Sequence, residues 1–155
     1  MGTKLKKDIF DFGEIASLAL STKKVVGHLD AKDLRTVTIT CKGTTNGAAT
    51  LGIRVNVYYS PTGNREDWDS VAFASFKINI SAGNNTQESH NFDLPELGEI
   101  KIEVENLDTG QAATSIQVWA SIKRHEGNEI IQELSKLNDS INKNLLVLIG
   151  KIVKK

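Results

Sequence analysis

The chain has 155 residues, 39% hydrophobic and 25% charged, and its 19 basic and 19 acidic side chains cancel to a formal net charge of zero. That length and mix describe a single soluble globular domain with room for an appendage. Its lysines gather at the ends (Lys4, Lys6, Lys7 and Lys151, Lys154, Lys155) rather than in the basic stripe that tracks a phosphate backbone, so no nucleic-acid partner is expected, and a lone cysteine, Cys41, excludes a disulfide framework within the chain.

Residues 1–23 read as an N-terminal arm or strand. Ile9, Phe10, Phe12, Ile15, Leu18 and Leu20 are too apolar for a free tail and are expected to add a strand to the chain's own sheet or to a neighbour's. Asp8, Asp11 and Glu14 interrupt any apolar core of a secretory signal, so none is visible, and Lys6 stands where a myristoylation signal carries Ser or Thr. The expected location is a virion or other assembled particle made in the cytoplasm, with a membrane the less favoured partner.

Residues 24–126 alternate with a period of two, the mark of strands with one face in a core and one in water. Val37, Ile39 and Cys41 alternate with threonines; Ile53, Val55, Val57 and Tyr59 alternate with Arg54, Asn56 and Tyr58. The same holds around Phe76 and Ile78, around Ile100, Ile102 and Val104, and around Ile116, Val118, Ala120 and Ile122. Turn clusters at 43–47, 61–64, 83–85, 95–98 and 108–110 separate the runs. The predicted fold is all-β, an antiparallel sandwich of about seven or eight strands, jelly-roll or immunoglobulin-like.

Residues 127–155 change period. Ile130, Leu134, Leu137, Ile141, Leu145, Leu148 and Ile152 recur in steps of three and four, an amphipathic helix with Asn128 as its expected N-cap and lysines toward its end. Such a stripe must be covered. The expected cover is another copy, through a coiled coil about three heptads long with Asn144 near the seam to fix register, or a groove on a neighbour. Packing on the chain's own sandwich and lying on a membrane surface are the alternatives.

Candidate sites are few. His28, His90 and His125 stand apart, with no metal spacing and no nucleophile context, so neither catalysis nor a cofactor is expected. Glu66, Asp67 and Asp69 surround Trp68 and form a weak calcium candidate, since calcium takes six to eight oxygens. The alternative is a hairpin whose acids face water while Trp68 caps one end of the core. By alternation Tyr58 and Trp119 point outward, either as interface anchors or as a sugar-stacking platform.

The run VNVYYSPTGNREDWDSVAFASFKI resembles a hairpin of β-sandwich structural proteins of phages and viruses: Tyr59, Ser60, Gly63, Trp68 and Asp69 match, while Thr62 replaces the usual Asp. KIEVENLDTGQAATSIQVWASI resembles the same proteins' closing strand pair, joined by an Asn106-Leu107-Asp108 turn. Over residues 25–123 this implies a virion component, such as a capsid, decoration or tail protein, and carries over no catalytic residue. The expected function is therefore a non-enzymatic, self-assembling structural subunit that forms homo-oligomers, with other virion proteins as further partners. A carbohydrate-binding or adhesion module is the alternative.

Overall fold

The computed structural model describes residues 8–32, 34–45, 47, 51–80, 82, 84–94, 98–124 and 126–152. Among them lie strands β1 (Asp8–Leu18), β2 (Lys23–Asp30), β3 (Leu34–Thr45), β4 (Ile53–Ser60), β5 (Ala74–Ile78), β6 (Thr86–Asp93), β7 (Glu99–Asn106) and β8 (Ala113–Arg124), followed by helix α1 (Glu126–Ile152); the alternating runs named above fall in β3, β4, β5, β7 and β8. The period-two pattern translates directly into burial. Along β7, buried Ile100, Ile102, Val104 and Asn106 alternate with half-buried Glu99, Lys101, Glu103 and Glu105.

One sheet has the order β1-β8-β3-β6 and the other β2-β7-β4-β5. Antiparallel registers join β1 to β8, β2 to β7, β3 to β6 and β4 to β5. First pairs with last, second with second-last, and so on inward. This is one long antiparallel hairpin rolled into two sheets, with β4 and β5 at its tip. The architecture is therefore the jelly roll rather than the immunoglobulin arrangement of the two anticipated. β1 joins its own chain's sheet as an edge strand beside β8.

The core is built largely from β-branched side chains, which pack well on a pleated surface. Ile39, Ile53, Ile78, Ile100, Ile102, Ile116, Val37, Val55, Val57 and Val104 are fully buried. The Phe12 ring of β1 occupies the space where a Cβ on Gly27 of β2 would stand, so glycine there lets the edge strand close over the second sheet. Gly52 enters β4 at φ +72°, with the Ile78 carbonyl where its Cβ would be, a conformation and a contact that only glycine meets without strain.

One corner is held by buried polar groups. The Asn106 side-chain amide donates to the carbonyls of Leu18 (3.1 Å), Ala19 (3.2 Å) and Gln111 (2.9 Å), and its Oδ1 accepts from the Asp108 N–H (3.0 Å). Asp108 accepts from the N–H groups of Gly110 (2.8 Å), Gln111 (3.1 Å) and Leu51 (3.2 Å). The end of β1, the entry to β4 and the β7–β8 corner are thereby tied together.

The chain divides into two compact units, Met1–Lys123 and Arg124–Lys155. In the second, α1 starts at Glu126, so Asn128 lies inside the first turn and not at the cap position expected for it. Lys151 in the last turn complements the helix dipole.

Replacing Asn106 by Ala leaves several buried backbone groups unsatisfied, at about 1–3 kcal/mol each. A loss of about 2–4 kcal/mol is expected in urea unfolding, against less than about 0.5 kcal/mol for Gln87→Ala on the exposed edge strand.

Candidate interaction surfaces

The outward face of the β2-β7-β4-β5 sheet is an ordered grid. Register sets Lys23 beside Glu105 and Arg54, Val25 beside Glu103 and Asn56, and His28 beside Lys101 and Tyr58. Charges alternate across it. Lys23 Nζ lies 3.8 Å from both Glu103 and Glu105, and Arg54 lies 3.6 Å from Glu105. Asn56 is only 5% exposed although it points outward, because it lies among these side chains with its amide 3.3 Å from Glu105 and 3.5 Å from Glu103.

The β4–β5 connection, residues 61–73, folds back over one end of this face. Backbone bonds from Asp69 N to Tyr59 O (2.9 Å) and from Phe73 N to Val57 O (3.0 Å) hold its return leg to β4. Trp68 stacks on His28 at 5.4 Å, and Lys101 Nζ stands 4.9 Å from the Trp68 ring and 4.6 Å from the Tyr58 ring. Arg65 reaches Glu99 at 3.2 Å. Trp68 is therefore not the end-cap of the core that its position suggested. It seals the outer face of a sheet, held by a cation and an imidazole that register brings to it.

Tyr58 lies within this arrangement. Its hydroxyl donates to Glu103 (3.2 Å), and burial, with the Glu103 charge behind it, raises its pKa above the usual phenol value. His28 is shifted the other way: burial, then the Arg65 cation, lower its pKa below the usual 6.5. Cys41 is fully buried, and burial pushes its thiol up to about 12, which holds it in the protonated form.

The acidic residues of the loop do not converge. The Asp67 carboxylate accepts from the Thr62 hydroxyl (3.2 Å) and the Asn64 amide (3.4 Å), closing the turn on itself. Among the described residues no group of three or more His, Cys, Asp or Glu could hold a metal. A depression of about 610 Å³ beside this loop is lined by Asp30, Lys32, Thr62, Arg65 and Glu99 among others, with the Arg65–Glu99 pair already formed in its wall.

Trp119 lies on the other sheet, half-buried on β8 opposite Asp11 of β1. That outer face is rich in hydroxyl and amide groups, with Thr38 bonded to Asn91 (3.0 Å) and Thr40 to Ser89 (2.8 Å). Tyr58 and Trp119 both point outward, but from opposite sheets, so they cannot form one platform. His90 stacks on Phe76 of the facing sheet at 4.3 Å and lies 3.5 Å from Glu88. His125 lies outside the described residues.

On α1, Leu134, Leu137, Ile141 and Leu145 are each more than half exposed, and Leu146, Val147 and Ile149 add to the apolar surface. Ile130, Leu148 and Ile152 continue the stripe in sequence, and their side chains lie outside the described residues. No helix among the described residues is long and apolar enough to cross a membrane.

No protein-family model matches the chain, and no curated protein sequence matches it. Solved structures do. A chain in the structure of infectious bursal disease virus Gx strain superposes with a TM-score of 0.57 at 15% identity, over 79% of this chain and 32% of that one. The VP2 subviral particle of infectious bursal disease virus gives 0.50 at 11% identity, over 79% and 34%. Tripeptidyl peptidase 2 gives 0.52 at 6% identity, over 78% of this chain and 10% of that one. The likeness is one of fold, and it agrees with the resemblance to virion sandwich proteins read from the sequence. The chain spans about a third of the length of the viral chains it matches.

Because the fold favours neutral His28, the unfolded chain takes up its proton more readily, and the stability this group contributes is lost as pH falls through about 6.5 and below. The urea midpoint is expected to drop between pH 7.5 and 5.0, and to drop less in His28→Gln. In a Trp119→Phe background the emission of Trp68 is expected to follow the same titration.

Proposed function

We propose that the chain is a non-enzymatic structural subunit that self-assembles into a homo-oligomer, serving as a capsid, decoration or tail component of a virus particle, phage included, or as a building block of a related tube or filament. The observation that carries this reading is α1: a helix of 27 residues presenting an exposed apolar stripe, in a chain whose sandwich fills its core from its own strands. Full burial of a Leu or Ile side chain is worth about 1.5–3 kcal/mol. Leu134, Leu137, Ile141 and Leu145 together supply enough to offset a substantial part of the ~4–15 kcal/mol cost of association. The jelly roll shared with the viral chains supports the particle setting. The buried, fully protonated Cys41 and the scattered histidines support a role without catalysis.

The sandwich is the block, and the helix is the connector, through Ile130, Leu134, Leu137, Ile141, Leu145, Leu148 and Ile152. Trp119 is an anchor for a second contact. Tyr58, with its ring against Lys101 and its hydroxyl on Glu103, serves the sheet itself.

A second reading is favoured by one observation, the outward Trp119 on a hydroxyl-rich face: a carbohydrate-binding or adhesion module using Trp119 without Tyr58. A glycan array with Trp119→Ala as control tests it. Binding by the wild type and loss in the variant would replace the assembly role of that face.

For the leading reading, light scattering behind size exclusion is expected to show a defined oligomer or larger assembly for the full chain. The mass is expected to fall to that of a monomer in Leu137→Asp/Ile141→Asp, with the sandwich still folded by circular dichroism. A wild type that stays monomeric at every concentration would remove this reading.

A further inference from the structure

Resting on the self-assembly reading, we infer that α1 pairs with the α1 of a second copy, end for end, about a two-fold axis at Ile141. The stripe positions 130, 134, 137, 141, 145, 148 and 152 are separated by steps of 4, 3, 4, 4, 3 and 4. The set 130, 134, 137 recurs eleven residues later as 141, 145, 148. Eleven residues in three turns is about 3.67 per turn, close to the helix's own 3.6, so the stripe runs nearly straight and its packing is straight or weakly right-handed. This differs from the left-handed heptad seam expected of a stripe in steps of three and four.

The step pattern is also a palindrome centred on Ile141. Reversing a second copy about that residue sets position 130 opposite 152, 134 opposite 148, 137 opposite 145, and Ile141 opposite itself. A two-fold interface of this kind is self-complementary by construction.

The palindrome alone would also suit a parallel pair, in which each residue meets its own copy. The flanks of the stripe decide between them. At about 100° per residue, Glu133 and Lys151 both fall about 80° to one side of Ile141, while residues Ile131 and Ile149 both fall about 80° to the other. A two-fold axis perpendicular to the helices brings each flank against itself. Glu133 then meets Lys151 of the second copy within about 3 Å along the axis, and Ile131 meets Ile149 at the same offset, each pair formed twice. A parallel pair crosses the flanks and sets Glu133 and Lys151 against the apolar side. The second flank is apolar only at its ends, Ile131 and Ile149, with Asn138 and Asn142 between them; charge meets charge, apolar end meets apolar end and amide meets amide only when the copies run antiparallel. The opposed helix dipoles favour the same arrangement.

Cysteine pairs test the orientation on the full chain. Native Cys41 is silent, being fully buried with its thiol pushed up to about 12. Leu137→Cys and Leu145→Cys are made separately, one carrying a size tag, and oxidised mildly alone and after mixing, with assembly checked by light scattering. The expected result is a cross-link in the mixture and little in either variant alone. Cross-linking of Leu137→Cys with itself would show parallel helices and overturn the inference while leaving self-assembly in place. Associated protein with no cross-link in any sample would overturn it too. Wild type that never associates would remove both this inference and the reading it rests on. Charge reversal avoids any change to the stripe: Glu133→Lys or Lys151→Glu alone is expected to weaken association several-fold, and the double variant to restore it to within about twofold. A double variant as weak as the singles would count against the antiparallel pair.

Discussion

The fold depends on a chain that must cross between its two sheets at nearly every connection without leaving buried backbone groups unpaired. Asn106 and Asp108 meet that constraint where it is most severe. Asn106 bonds both the carbonyls that end β1 and the carbonyl of Gln111 before β8, so two crossings that are distant in sequence run side by side. Asp108 adds the N–H groups of the last corner and the entry to β4. No described buried side-chain nitrogen or oxygen lacks a partner. With the corner satisfied, the remaining pairing of first strand with last and second with second-last follows from ordinary hairpin closure.

What the sandwich does not need is as informative as what it needs. Its interior is closed by its own isoleucines and valines. One outer face carries internal charge pairs and the Trp68 seal, and the other carries hydroxyls and amides around Trp119, with Asp11 and the exposed Ile9 beside them on β1. The large apolar side chains exposed in a row lie on α1.

β3, β4, β5, β7 and β8 were legible because one-sided burial writes period two into the sequence, as along Ile100, Ile102 and Val104; β6, with no fully buried side chain, carries no such signal. The helix was legible for the matching reason at steps of three and four. Strand order was not, because alternation reports which face a residue takes and not which strand lies beside it. The same gap hid the surface chemistry. Nothing in the sequence places His28 and Trp68 together, since their meeting depends on β2 pairing β7 and on the tip loop folding back. Tyr58 and Trp119 were correctly read as outward, yet their separation onto opposite sheets needs the topology. Nor does composition show that the Thr62 hydroxyl and the Asn64 amide bond the Asp67 carboxylate within the loop.

Electron microscopy of the purified full chain at assembling concentration tests the central claim most directly. The expected image is a regular particle, tube or filament in which sandwiches repeat and pairs of antiparallel helices bridge neighbouring subunits. Dispersed single subunits, or an ordered assembly whose helices touch no neighbour, would contradict it.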